Sequence, residues 1–151
     1  MFSDDIQSLY QEMILDHGRS PRFFYELENP DHVMEGFNPV CGDQVKVFIK
    51  EDEDGFIKSS FSGHGCAISM AATSLLLEMS QGNNRSDILQ LIKNYRKMVI
   101  DKKDFLDDSL GKLIVLAGVR AYPSRIKCAT LGCHALKLAL EKSVQKITST
   151  E

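Results

Sequence analysis

Near the start of the chain, apolar residues recur at helical spacing at Ile6, Leu9, Tyr10, Met13 and Ile14, and Gly18 followed by Pro21 supplies a stop. This predicts a first helix over about Ser3 to His17. From Val45 the period drops to two: Val45, Val47 and Ile49 alternate with Gln44, Lys46, Phe48 and Lys50. Asp54-Gly55 then turns the chain into Phe56 to Phe61, which reads as an antiparallel hairpin, with Val33 to Phe37 as an added edge strand. The remainder has helical character. Ala67 to Met79 ends before Gly82, Ser86 is placed to cap a helix running to about Ile100, and Leu110 to Arg120 forms a short one ended by Pro123. A last helix is expected from Cys128 or Ala129 to about Ile147, with Cys133, Leu136, Leu140, Val144 and Ile147 on one stripe. The expected architecture is a single α+β domain over residues 1–151, with helices on one face of a small antiparallel sheet of about three strands.

At 151 residues and 43% hydrophobic, the chain can bury roughly 70% of its unfolded surface, so it needs no metal merely to obtain a core. A formal charge of -3 with mixed signs gives no basic field for a phosphate backbone, which argues against nucleic acid as a partner. Met1 to Gln11 lacks the basic start and apolar run of a signal peptide, and no stretch is apolar enough for a membrane span. The expected compartment is the cytoplasm, where thiols stay reduced and clustered cysteines bind metal or react more often than they pair. No Cys-x-x-Cys is present, so neither a zinc ribbon nor a thioredoxin-like motif is supported.

The candidate chemistry lies in three segments. In Asn38-Pro39-Val40-Cys41-Gly42-Asp43, Cys41 and Asp43 stand two apart at the entry to a strand, so both can face one metal. Pro39 restrains the approach, and Gly42 permits an unusual backbone angle between them. Cys66 in Gly63-His64-Gly65-Cys66-Ala67 and Cys128 in Arg125-Ile126-Lys127-Cys128-Ala129 both precede expected helices, whose positive ends favour the thiolate. The bland alternative for each is a small buried hydrophobe. His17, in a last helical turn, suits capping or packing better than metal binding.

Cys-Gly-Asp, Gly-x-Gly-Cys-x-Ile-Ser and Arg-Ile-Lys-Cys, preceded by Leu9-Tyr10, Asp16-His17 and Pro21-Arg22, resemble the signature segments of the U-type iron–sulfur assembly proteins over nearly the whole chain. The resemblance is to the SufU branch more than the IscU branch. The segment Asp101 to Gly118 is similar to a SufU insertion, and Lys127 stands where IscU proteins carry a histidine able to ligate. A protonated lysine is a poor ligand, which leaves Asp43 as the fourth beside Cys41, Cys66 and Cys128. His64, two residues from Cys66, competes for that place or serves as a loop residue. Phe23-Phe24 and Cys133-His134 depart from the family pattern without touching the ligands: Cys133 falls on the apolar stripe and is expected in the core, and His134 in solvent.

What the resemblance implies is a zinc-dependent protein that docks on a pyridoxal-phosphate cysteine desulfurase, accepts its persulfide sulfur on Cys41 while a partner histidine fills the vacated position, and passes the sulfur to a cluster-building scaffold complex. Three thiolates and a carboxylate around Zn²⁺ leave a net charge of -2, so nearby cations are expected, with Arg125 as the candidate that assists transfer and Lys127 beside it. The alternatives are a scaffold that builds a transient iron–sulfur cluster on the same ligands, and a structural zinc in an interaction module. A zinc hydrolase or deaminase would need His-Glu-x-x-His, or His-x-Glu with Pro-Cys-x-x-Cys, and neither is present.

Overall fold

A computed structural model describes residues 4–101 and 105–145. The expected helix ends at Ser3 and Ile147, and part of the Asp101 to Gly118 segment, lie outside these residues, as do the side chains of Ile6 and Val144. Helix α1 (Asp4–Arg19) is followed by strands β1 (His32–Asn38), β2 (Asp43–Glu51) and β3 (Phe56–His64). Helix α2 (Ala67–Ser80), the two-residue strand β4 (Asn83–Asn84), α3 (Arg85–Arg96) and α4 (Pro123–Gln145) complete the named elements. Between α3 and α4 lie a π-helical turn, Lys97–Asp101, and a 3₁₀ run, Asp108–Ala121, broken at Gly111. The sheet is antiparallel in the order β1-β2-β3-β4, so the α+β class holds with one short strand more than expected.

Register decides what the sheet shows to the helices. Met34, Val47 and Phe61 form one cross-strand row, and Gly36, Val45 and Gly63 the next. Val45, Val47, Ile49, Ile57 and Phe61 are all at most 1% exposed, and they join Leu75, Leu77, Leu136 and Leu140 in the core. Burying each such large aliphatic or aromatic side chain is worth about 1.5–3 kcal/mol. α4 lies over β1 and β2 so closely that a Cβ on Gly36 would stand 2.9 Å from Leu131 Cδ1. Part of the opposite face is covered by chain, while Val33, Phe37 and Phe56 on it are exposed. Phe24 bridges to Phe61 beside β3, while Asp31 donates to Ile49 O and leads into β1 on the far side of β2, so residues 25–30 must cross the sheet. That crossing accounts for Phe48 and Ser60 being buried on the face away from the helices.

Two helix starts differ from expectation. α3 is capped by Asn84, whose side chain accepts the Asp87 N–H at 2.8 Å, and not by Ser86; asparagine is as good a cap as serine and here already has the extended backbone a cap requires. α4 begins at Pro123, five residues before the expected Cys128. Proline closes one run and opens the next, because the first helical position needs no N–H and the ring presets φ. Among the described residues no helix is long and apolar enough to cross a membrane.

Candidate metal centre

The inner face of the sheet ends in a cross-strand pair, Asn38 opposite Asp43. Both side chains are buried, at 5% and 0% exposure. Cys41 sits in the connection between those strands, where Gly42 takes φ +70, and it is half-buried. Cys66 is the N-cap of α2, its Sγ accepting the Ser69 N–H at 3.5 Å. Cys128 enters from the second turn of α4 and is fully buried.

Cys41 Sγ and Cys128 Sγ are 3.2 Å apart, and these two sulfurs with an Asp43 carboxylate oxygen all lie within 4.8 Å of one another, a group able to hold a metal ion. Asp43 Oδ1 accepts the Cys66 N–H at 2.8 Å, which ties the carboxylate to the head of α2. Gly65 makes that approach possible: a Cβ there would stand 2.5 Å from Asp43 Oδ1. The Cys66 thiol borders Cys128 rather than completing the compact trio. His64, the exposed last residue of β3, and His134, exposed on α4, are not members of the trio. Cys133 is a core thiol, 1% exposed and donating to Thr130 O at 3.2 Å, as its place on the apolar stripe predicts.

The electrostatic argument for Cys128 needs correction. Since α4 starts at Pro123, Cys128 does not head the helix, and burial pushes its thiol well above the ordinary range, with Cys41, Asp43 and Cys66 adding to the rise. Only a nearby positive charge would favour its anion. Arg125 lies in the first turn of α4, not in a loop, three residues before Cys128 on the same face. Its guanidinium is exposed, and its pKa is raised by a hydrogen bond to Cys128 and then by the charges of Cys66, Cys128 and Cys41, which places it beside the thiols. Lys127 lines a groove of about 350 Å³ with Phe37, Val40, Arg96 and His134, beside the centre. A soft sulfur set with one oxygen, fully buried at Cys128 and Asp43, suits Zn²⁺.

Residues 9–146 match the model of the family described as NifU-like N terminal domain. The chain belongs to that family. Similar members carry two kinds of name. The zinc-dependent sulfurtransferase SufU of Bacillus subtilis (strain 168) is 36% identical over 143 residues, covering 93% of this chain and 95% of that one. The iron-sulfur cluster assembly scaffold protein IscU of Streptococcus pyogenes serotype M1 is 34% identical over 138 residues, covering 91% and 86%. The crystal structure of FiSufU from Fervidobacterium islandicum AW-1 superposes with a TM-score of 0.81 at 36% identity, over 89% of this chain and 98% of that one. The N-terminal NifU-like protein of Brucella abortus, at 19% identity and a TM-score of 0.82, has the same fold.

Sequence reasoning overlooked two residues that border the candidate centre. Gly65 was in view only as a flank of Cys66, although its place opposite Asp43 follows once the hairpin register is extended. Asn38 carried no signal of its own, being a neutral amide at the end of the weakest strand signal.

Proposed function

We propose that this chain is a zinc-dependent sulfur-transfer protein of iron–sulfur cluster biogenesis, holding one Zn²⁺ with Cys41, Asp43, Cys66 and Cys128 and accepting persulfide sulfur on Cys41 from a pyridoxal-phosphate cysteine desulfurase. The observation that carries the choice of acceptor is a difference in tethering. Asp43 receives the Cys66 N–H and Cys66 receives the Ser69 N–H, while Cys128 is fixed in α4 with Arg125 beside it. Cys41 receives no N–H among the described residues; its hydrogen-bond contact is the Cys128 thiol. It also rides on the turn that Gly42 opens. The name of the Bacillus subtilis relative supports the same reading.

Bound zinc would neutralise the buried anions and keep the thiols deprotonated. Cys41 then swings out with the least backbone disturbance, and its thiolate attacks the terminal sulfur of the partner's persulfide. A new S–S bond forms at Cys41 Sγ, the partner's S–S bond breaks, and the electron pair leaves on the partner's cysteine thiolate, so no outside oxidant enters. Arg125 offers its fixed charge to the thiolates during the exchange. The sulfur passes on to a cluster-building scaffold complex in the cytoplasm.

Metal content after anaerobic purification, measured beside desulfurase-coupled sulfide release, tests the reading. One zinc per chain with stimulation of the desulfurase is expected. An iron–sulfur cluster on the same residues would make the chain a scaffold, and a zinc whose removal unfolds it, with no sulfur uptake, would make it a structural module. Arg125→Ala should keep zinc and fold yet lose most stimulation, and Lys127→Ala should lose less, since a point charge is the less specific partner. Full stimulation by Arg125→Ala would reduce Arg125 to surface charge.

A further inference from the structure

We infer that Asn38 is a positioning residue of the metal centre, its carboxamide tying Asp43 and Cys128 into one unit so that Cys41 alone is free to leave. The inference rests on the reading that these residues hold zinc. Asn38 Nδ2 stands 3.4 Å from Asp43 Oδ2 and 3.7 Å from Cys128 Sγ. Its orientation is dictated by chemistry: a carboxylate only accepts, so the NH₂ end faces Asp43, and the same nitrogen stands within reach of the Cys128 sulfur. Those ligands come from different elements, β2 and α4, and their sequence separation from Asn38 is 5 and 90 residues. The amide is thus a brace across the sheet–helix boundary at the site, of the outer-shell kind that orients metal ligands.

The placement is not accidental to the fold. The β1–β2 register sets Asn38 opposite Asp43 on the helix-facing side, and α4 brings Cys128 over the pair. Asn38 is 5% exposed, so its N–H groups have little water to turn to and are spent on Asp43 and Cys128. Counting donors ranks the ligands. Asp43 has the Cys66 N–H and Asn38, Cys128 has Asn38 with Arg125 beside it, Cys66 has the Ser69 N–H, and Cys41 has no N–H among the described residues, only the Cys128 thiol.

The test compares the wild-type chain with Asn38→Leu, which keeps the volume without the donors, Asn38→Asp, which keeps the shape and replaces NH₂ by oxygen, and Asn38→Ala. Three readouts apply: zinc release to a chromophoric chelator, the order in which cysteines of the zinc-loaded chain are alkylated, and circular dichroism of the metal-free chain. In the wild type Cys41 should be alkylated first. In the variants zinc should leave at least about tenfold faster and Cys128 should be modified alongside Cys41, with the metal-free fold unchanged. Wild-type release rates and a Cys41-first order in the variants would overturn the inference while leaving zinc binding intact. Loss of the metal-free fold in all three would overturn it too, by showing that Asn38 serves the fold. A wild-type chain that takes up no zinc would overturn both this and the reading it rests on.

Discussion

Two buried polar clusters touch α2, one at Ser74 within it and one at its N-cap Cys66, and they are built to opposite ends. At the end of α1, His17 is 3% exposed, with Nδ1 2.7 Å from Ser74 Oγ. Ser74 Oγ also accepts the Arg22 N–H at 2.8 Å, so one hydroxyl joins the two segments. Glu78 lies 4.0 Å from His17 Nε2 and reaches Lys112 at 3.3 Å, so the chain of contacts runs out to a solvated ion pair. Donors and acceptors match, and the cluster closes on itself. At Asp43 and Cys128 a carboxylate and the cysteine sulfurs converge in a buried place, and the cation beside them, Arg125, is exposed. A buried polar cluster that is satisfied staples helices together; one that lacks positive charge is waiting for a cation.

The contrast breaks most sharply at the ligands. Asp43→Ala or Cys128→Ser should weaken zinc at least about 100-fold by chelator competition, whereas Ser74→Ala should leave zinc binding unchanged. In the wild type, X-ray absorption should return Zn–S near 2.3 Å and Zn–O at about 2.0–2.2 Å. Next in size, Gly65→Ala should cost about tenfold in zinc affinity with little change in metal-free stability, because the new Cβ displaces the Asp43 carboxylate. Equal zinc affinity in that variant would show the carboxylate free to shift.

The smaller effects lie on the closed side and in the core. Cys133→Ser should keep its zinc and lose about 1–2 kcal/mol in chemical denaturation, from placing a hydroxyl in the α4 stripe. The gentlest is a pH slope. Burial, and then the charge of Arg22, lower the His17 pKa below its ordinary 6.5. The unfolded chain therefore binds the proton more readily, and stability present above about pH 6.5 declines as pH falls through the folded-state value. His17→Gln in the metal-free chain should flatten that slope; an unchanged slope would assign it to other groups.

Much of the site was legible because its residues are few and punctuated. Cys41 and Asp43 flank a glycine, Cys66 follows two, and the alternation from Val45 carries back to Asp43 with the correct face. The hairpin and the Ala67 helix rest on strong periodicity, and both formed where expected. The start of α4 was misread because a proline signals an end and a beginning alike, and with it went the dipole argument for Cys128. The crossing of residues 25–30 and the two-residue β4 are matters of topology, which local pattern does not record. Asn38 became visible only when register and α4 put the Asp43 carboxylate and the Cys128 sulfur within its reach.

The central claim is that Cys41, the ligand without an amide tether, is the sulfur acceptor, and mapping the persulfide tests it most directly. Zinc-loaded chain is incubated anaerobically with a cysteine desulfurase and cysteine, quenched by alkylation, and each cysteine peptide is weighed. One added sulfur atom on Cys41, and none on Cys133, is the predicted result. Sulfur found mainly on Cys66 or Cys128, or no sulfur on any cysteine while the desulfurase turns over, would contradict it.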